Sequence, residues 1–255
     1  MKLTALTRAV PDSMATCELT HAAREPIDIA LARAQHAAYE EALRDLGCTV
    51  ERIAPLPALP DSVFVEDTAI VLDELAIVTR PGAESRRAEV DSMADALATR
   101  RSVVRIIAPG TIDGGDVMVV GRRMFVGISS RTNAAALDQL RGFVEPHGYE
   151  VIGVGVRGVL HLKSAVTQVG PDLLLVNRDL LDSAAFAGFT LIDVDPDEPH
   201  ATNALLIGDA VLFPSAFERT RRRLADAGVR VVTVDASEVA KAEGALTCCS
   251  VLVRD

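Results

Sequence analysis

Short apolar runs separated by polar clusters follow one another along the chain in a fixed order, and that order returns. From 61 to 109 a polar cluster, DSVFVEDTA, leads into the β-branched run TAIVL, a turn at Asp73-Glu74, and LAIVTR. Two such runs joined by a short polar turn read as a hairpin. ESRRAEVDSMADALATRR then carries its apolar positions at helical spacing, and VVRIIAP is a third strand.

From 111 to 156 the cluster is Asp113-Gly114-Gly115-Asp116. The strands are DVMVVG and MFVGIS, the helix TNAAALDQLRGFV and the closing strand YEVIGVGV. From 161 to 195 the cluster is His161-Leu162-Lys163-Ser164, with strands SAVTQV and LLLVNR, helix DLLDSAAFA and strand TLIDVD. From 199 to 235 the cluster is Pro199-His200-Ala201-Thr202-Asn203, with strands NALLIG and VLFPS, helix SAFERTRRRLADAG and strand VRVVTVD. The fifth copy is divided. Thr247-Cys248-Cys249-Ser250 and SVLVRD stand at the end, and MKLTALTR, the helix EPIDIALARAQHAAYEEALRDLGC and the strand TVERIAP at the start.

A repeat of about 40 residues implies a solenoid or propeller-like array. A unit split between the two ends implies a closed ring, because pairing the first and last strands hides both edges. The expected fold is therefore α/β: five ββαβ modules about a pseudo-fivefold axis, in one catalytic domain spanning 1–255. The five clusters FVED, DGGD, HLKS, PHATN and TCCS occupy equivalent places in their modules. In a closed ring they all face one central pocket.

Composition narrows the partners. A net charge of −10 argues against nucleic acid, which wants a basic footprint, and is compatible with a small cationic substrate. No apolar run approaches the roughly 20 residues of a membrane span. MKLTALTRAVPDS has no signal-peptide core, so the expected location is the cytoplasm, with no membrane partner. The four cysteines, Cys17, Cys48, Cys248 and Cys249, form no CxxC pair and no metal-binding spacing with histidine. Free thiols, no metal and no cofactor are expected.

Taken singly, each pocket candidate has an ordinary reading. A cysteine is usually a small buried apolar residue, and aspartate beside Gly-Gly is usually a turn. Their shared position in the repeat points to chemistry instead. A thiol nucleophile wants a histidine, which wants a carboxylate such as Asp113 to orient it. A guanidinium wants carboxylates for its fork of N–H donors, and Asp67, Glu66 and Asp113 supply them. His200 sits at the module position of His161 and reads as structural or pocket-lining. His21, His36 and His147 read as ordinary surface histidines. Arg86 opens a helix, where a cation opposes the dipole, a sign of a binding role.

LPDSVFVEDTAIV, TRPGAESRR, IDGGDV, VGISSRTN, HLKS and ALTCCSVLV resemble the dimethylarginine dimethylaminohydrolases of the guanidine-modifying (pentein) superfamily, from about Leu3 to Val253. The resemblance implies a catalytic triad of Cys248, His161 and Asp113. It implies that Asp67 with Glu66 holds the guanidinium, and that Asp61, Arg86 and Arg131 bind the amino-acid end. The backbone near Ala242 would receive the α-amino group, and Leu19 belongs to a lid. The implied reaction converts asymmetric dimethylarginine or monomethylarginine to citrulline plus dimethylamine or methylamine, through an S-alkylthiouronium on Cys248. A homodimer is compatible with it. Strand alternation lets only one of Cys248 and Cys249 face the pocket, and the family pattern selects Cys248. The competing readings are an arginine deiminase, an amidinotransferase, or a non-catalytic pentein module such as a ribosome-associated translation factor.

Overall fold

The β-branched runs become fifteen short strands, and the structure, a computed structural model, describes residues 2–254. Met1 and Asp255, the outermost residues of the expected end strands, lie outside the described residues. In chain order the first elements are β1 (Leu3–Thr7), α1 (Ile29–Asp45) and β2 (Cys48–Arg52). The first complete module follows as β3 (Ala69–Val71), β4 (Leu75–Val78), α2 (Val90–Ala98) and β5 (Ser102–Arg105). The second is β6 (Val117–Val120), β7 (Arg123–Ile128), α3 (Ala134–Val144) and β8 (Glu150–Gly155). The third is β9 (Val166–Gln168), β10 (Leu173–Val176) and β11 (Thr190–Asp193). The fourth is β12 (Leu205–Ile207), β13 (Ala210–Pro214), α4 (Glu218–Asp226) and β14 (Arg230–Val234); α5 (Ser237–Ala240) and β15 (Val251–Arg254) finish the chain.

The described residues form five three-stranded sheets. In each, the inner strand is antiparallel to the middle one, and the middle is parallel to the outer: β3 to β4 and β4 to β5, for example. The fifth sheet runs β15-β1-β2, with Leu3 opposite both Arg254 and Cys48. The expected five-module ring, closed by its end strands, is what forms.

Hydrophobic burial lies between sheets and helices. Ile70 and Ile77 of the first sheet pack with Met124 and Val126 of the second and with Leu137 and Leu140 of α3. Helix α1 turns Ala32, Tyr39 and Leu43 inward. The five inner strands meet around the axis and line a channel of about 230 Å³. Among the described residues no helix is long and apolar enough to cross a membrane.

Three expectations are corrected. DLLDSAAFA is not a helix: it forms two 3-10 turns, Arg178–Leu180 and Ser183–Phe186. Asn177 and Asp182 each cap a separate turn, accepting from the N–H of Asp179 and Ala184, so neither extends. The helix expected from 84 is a 3-10 segment through Glu89, with α2 starting only at Val90. His36, taken for a surface residue, is buried beside Tyr39 and Glu40.

Arg8, fully buried just after β1, ties the fifth module to the first. Its guanidinium donates to Ala54 O (3.1 Å), Ser62 O (2.8 Å), Glu89 O (3.4 Å) and Ser92 Oγ (2.7 Å). Arg8→Ala should therefore lower unfolding free energy by about 3 kcal/mol or more, read by urea denaturation. Arg8→Lys should recover little of it, because a point ammonium cannot span the same acceptors.

Candidate active site

Four of the five clusters fold as 3-10 turns at the start of their inner strands: Val65–Thr68, Gly114–Asp116, Leu162–Ser164 and Thr247–Cys249. These turns bring Asp67, His161 and Cys248 from three modules to one cleft. It is also lined by Asp61, Phe64, Arg86, Arg131, Leu160 and Ala242, and by Glu18, Glu243 and Gly244.

Asp113 is wholly buried. Its Oδ2 lies 3.0 Å from His161 Nε2, and its Oδ1 accepts the N–H of Gly82 at 2.9 Å. Asp67 Oδ1 accepts from Gly115 N (3.0 Å) and lies 3.9 Å from His161 Nε2. Its other oxygen takes Arg86 Nη1 at 2.5 Å. The imidazole rests on Gly115, where an added Cβ would lie 2.6 Å from Nδ1. Asp116, at the second carboxylate of DGGD, joins two modules by accepting from Ser129, Thr132 and the N–H of Leu162.

These contacts set the protons. Burial opposes a charge on His161, but Asp67, Asp113 and Asp116 outweigh it and raise the imidazole to about 9. Burial also opposes ionisation of Asp67, yet His161, Arg86 and the Gly115 N–H bring it down to about 2. Burial pushes the Cys248 thiol well up, and the carboxylates of Glu66 and Asp67 push it further. At neutral pH the site therefore holds an imidazolium, an ionised Asp67 and a protonated thiol. No hydrogen bond joins His161 to Cys248 among the described residues: the imidazole faces carboxylates, and the thiol stands apart.

Asp67, Asp113 and His161 place donor atoms within 4.8 Å of one another, close enough to hold a metal ion. An imidazolium has no lone pair to give, so such binding would compete with a proton held up to about pH 9.

The other candidates fall into two groups. Asp61 lines the cleft and accepts the N–H of Glu18 at 3.1 Å, and Arg131 reaches Thr20 Oγ1 at 3.0 Å and Asp113 at 3.9 Å. Ala242 is buried at the rim, and Leu19 is half-buried in the covering loop beside Glu18. Cys249, its back to the cleft, packs in the core with Leu246 and donates to Ala245 O. Glu66 stands beside Asp67, close enough for its charge to act on the Cys248 thiol, and is held from the side of the axial channel. Its carboxylate bonds Lys163 Nζ (2.6 Å) and Thr247 Oγ1 (2.8 Å) and closes the end of the axial channel. Arg86 is not in the first turn of an α-helix, so the dipole argument for it falls. It is held instead by Asp67, Glu89 and the carbonyls of Asp61 and Phe64. His200 lines a neighbouring, largely apolar pocket and is exposed.

Sequence reasoning missed Asp116, Lys163, Asn203 and Thr247 as a supporting layer. Asn203 accepts the N–H of Thr247 (3.1 Å) and donates to its Oγ1 (3.0 Å), fixing the residue before Cys248. Position in the repeat was the signal that could have found them. Glu243 was missed with no such signal. It lies in the left-handed region at φ 55, and its N–H bonds Ala240 O while that of Gly244 bonds Val239 O. That pair is the Schellman closure of α5, with glutamate where glycine is usual.

Residues 12–253 match the family described as N,N dimethylarginine dimethylhydrolase, eukaryotic. The chain is 42% identical to the N(G),N(G)-dimethylarginine dimethylaminohydrolase of Streptomyces coelicolor over 98% of this chain and 97% of that one. It is similar to the Pseudomonas aeruginosa enzyme solved as a cysteine-to-serine mutant complexed with citrulline, at TM-score 0.94 and 33% identity, covering 99% and 100% of the two chains. It also shares its fold with the N-terminal domain of a cyanobacterial arginine dihydrolase, at TM-score 0.90 and 18% identity, covering 100% and 98%.

The paired glycines allow a test. A Cβ on Gly114 would run into the backbone oxygen of Glu66, whereas one on Gly115 would meet the side chains of His161 and Asp67. Gly114→Ala should lower Tm sharply or give insoluble protein. Gly115→Ala should stay folded and lose most activity, as seen by comparing thermal melts with kcat.

Proposed function

The chain belongs to the dimethylarginine dimethylaminohydrolase family, and we propose that it hydrolyses N-ω-methylated arginine to citrulline and methylamine or dimethylamine through a covalent intermediate on Cys248. The observation that carries this is the meeting, in one enclosed cleft, of the Cys248 thiol, the Asp67 carboxylate and the His161 imidazole held by Asp113.

The charge state assigns the work. A guanidinium drawn to Asp67 brings a positive charge beside Cys248, which favours the thiolate; the thiol proton goes to solvent. The thiolate attacks the guanidinium carbon. The imidazolium of His161, held by Asp113, gives its proton to the departing nitrogen, and neutral methylamine or dimethylamine leaves an S-alkylthiouronium. The neutral imidazole then takes a proton from water as it adds to the same carbon. Collapse expels the Cys248 sulfur, which takes up the hydroxyl proton of the adduct, and leaves neutral citrulline and the resting thiol. At the other end of the substrate, Arg131 takes the α-carboxylate with a smaller share from Arg86, which Asp67 and Glu89 already occupy. Asp61 and the backbone at Ala242 take the α-amino group, and Leu19 covers it.

Purified protein should form citrulline from asymmetric dimethylarginine and monomethylarginine, with an equal amount of the amine, faster than from arginine. A faster rate on arginine than on both overturns the substrate. Cys248→Ser should fold and be inactive, while Cys249→Ser should keep most of its turnover with a lower Tm.

The raised thiol gives a pH signature. Alkylation of Cys248 by neutral iodoacetamide in the free protein should be slow at pH 7 and still be rising beyond pH 9.0, the ordinary thiol value. The cationic 2-chloroacetamidine should label it readily at pH 7. Fast iodoacetamide labelling at pH 7 would show that the resting thiol is already ionised.

A further inference from the structure

The cleft at Cys248 encloses only about 20 Å³, space for about one water molecule. A ligand the size of arginine enters only if a wall moves. The wall made by residues 18–22 has no regular secondary structure and sits across the amino-acid end of the cleft. Asp61 holds the N–H of Glu18, Ser85 bonds the Glu18 carboxylate, and Arg131 bonds Thr20 Oγ1. The remaining tie is the largest. The Glu243 carboxylate accepts the backbone N–H groups of Thr20 (2.7 Å), His21 (2.5 Å) and Ala22 (2.5 Å).

Glu243 is also the one non-glycine residue with positive φ among the described residues. A strained backbone of this kind persists where its surroundings over-determine it, and such sites cluster where ligands are clamped. The next residue, Gly244, is pressed against the Phe64 ring of the cleft wall, so the turn cannot relax toward the site. The strain is compensated by what the side chain does: three converging amides make a concavity suited to an anion, and Glu243 fills it.

We propose that Glu243 is the latch of a lid formed by residues 18–22, a positioning residue that keeps the lid closed over bound substrate and whose release admits it. The inference rests on the arginine-derived substrate proposed above. Asp61 and Arg131, the groups assigned to the amino-acid end, are the ones the empty lid borrows. Substrate takes them back. The Glu243 bonds compete with nothing in the reaction, so they survive occupancy and decide how long the lid stays down.

Glu243→Gly removes the carboxylate and suits the left-handed backbone, so it separates latch from fold. Its Tm should equal or exceed that of the parent. Amide hydrogen exchange at residues 20–22 in the substrate-free protein should quicken roughly tenfold or more, with β7 unchanged as the internal control. KM should rise by about tenfold with kcat within about twofold, because apparent affinity falls with the fraction of lid-closed protein. Glu243→Gln should lie between the two. Unchanged exchange at 20–22 overturns the latch. So does loss of protection throughout, which would make Glu243 merely structural, or faster exchange with KM unmoved. The exchange arm needs no turnover, so a parent protein inactive on every methylated arginine would sink the assigned reaction and leave the latch to be judged on exchange alone.

Discussion

Closure of the ring through β1 and β15 places every group of the cleft. Asp61 and Asp67, Asp113, His161 and Cys248 stand in four different modules and are as much as 187 residues apart, yet each lies in the segment that leads into an inner strand. No local sequence could hold them at these distances. The sheets can, because each short inner strand is flanked by a hydrogen-bonded neighbour within its module and by an apolar wedge shared with the next. Arg8 and Asp116 add polar ties across module boundaries, and both act on the shell just behind the reacting groups.

Within that frame, electrostatics does the selecting. Burial alone would strip the charge from His161 and from Asp67. Placed together with Arg86, each instead keeps the other charged. The thiol receives the opposite treatment: it is buried with carboxylates nearest to it, so it holds its proton until a cation arrives. On the proposed reaction, such a resting state shields Cys248 from passing electrophiles until the cationic substrate arrives. Lys163 and Thr247 hold the Glu66 carboxylate at the end of the axial channel, from where its charge adds to that of Asp67 in keeping the thiol protonated.

Much of this was legible in the sequence because it was periodic. The hairpins, the ring and the convergence of FVED, DGGD, HLKS and TCCS follow from matching positions in successive units. Periodicity failed where local hydrogen bonding overrode it. Asn177 and Asp182 start two separate turns where DLLDSAAFA suggested one helix, and Arg86, drawn inward by Asp67 and Glu89, sits in a 3-10 segment. Glu66 and Asp67 are neighbours of one charge, and composition cannot tell them apart. Their places in the repeat can: Glu66 stands level with Gly114, Lys163 and Thr247, each three or four residues ahead of the next position that lines the channel. Glu243 was illegible for a different reason. Its partners are backbone amides more than 220 residues away in the sequence, and backbone amides leave no trace in composition.

The low pKa of Asp67 matters as much for departure as for arrival. On the proposed reaction the side chain enters as a guanidinium and leaves as an uncharged urea, so the same chemical event that breaks the C–N bond cancels the attraction that held the ligand. Asp67 remains ionised, at about 2, but now faces a neutral dipole and can return fully to Arg86 and the Gly115 amide. On the proposed reaction, product inhibition is thereby weakened at its source, and what still holds citrulline is its amino-acid end and the lid above it.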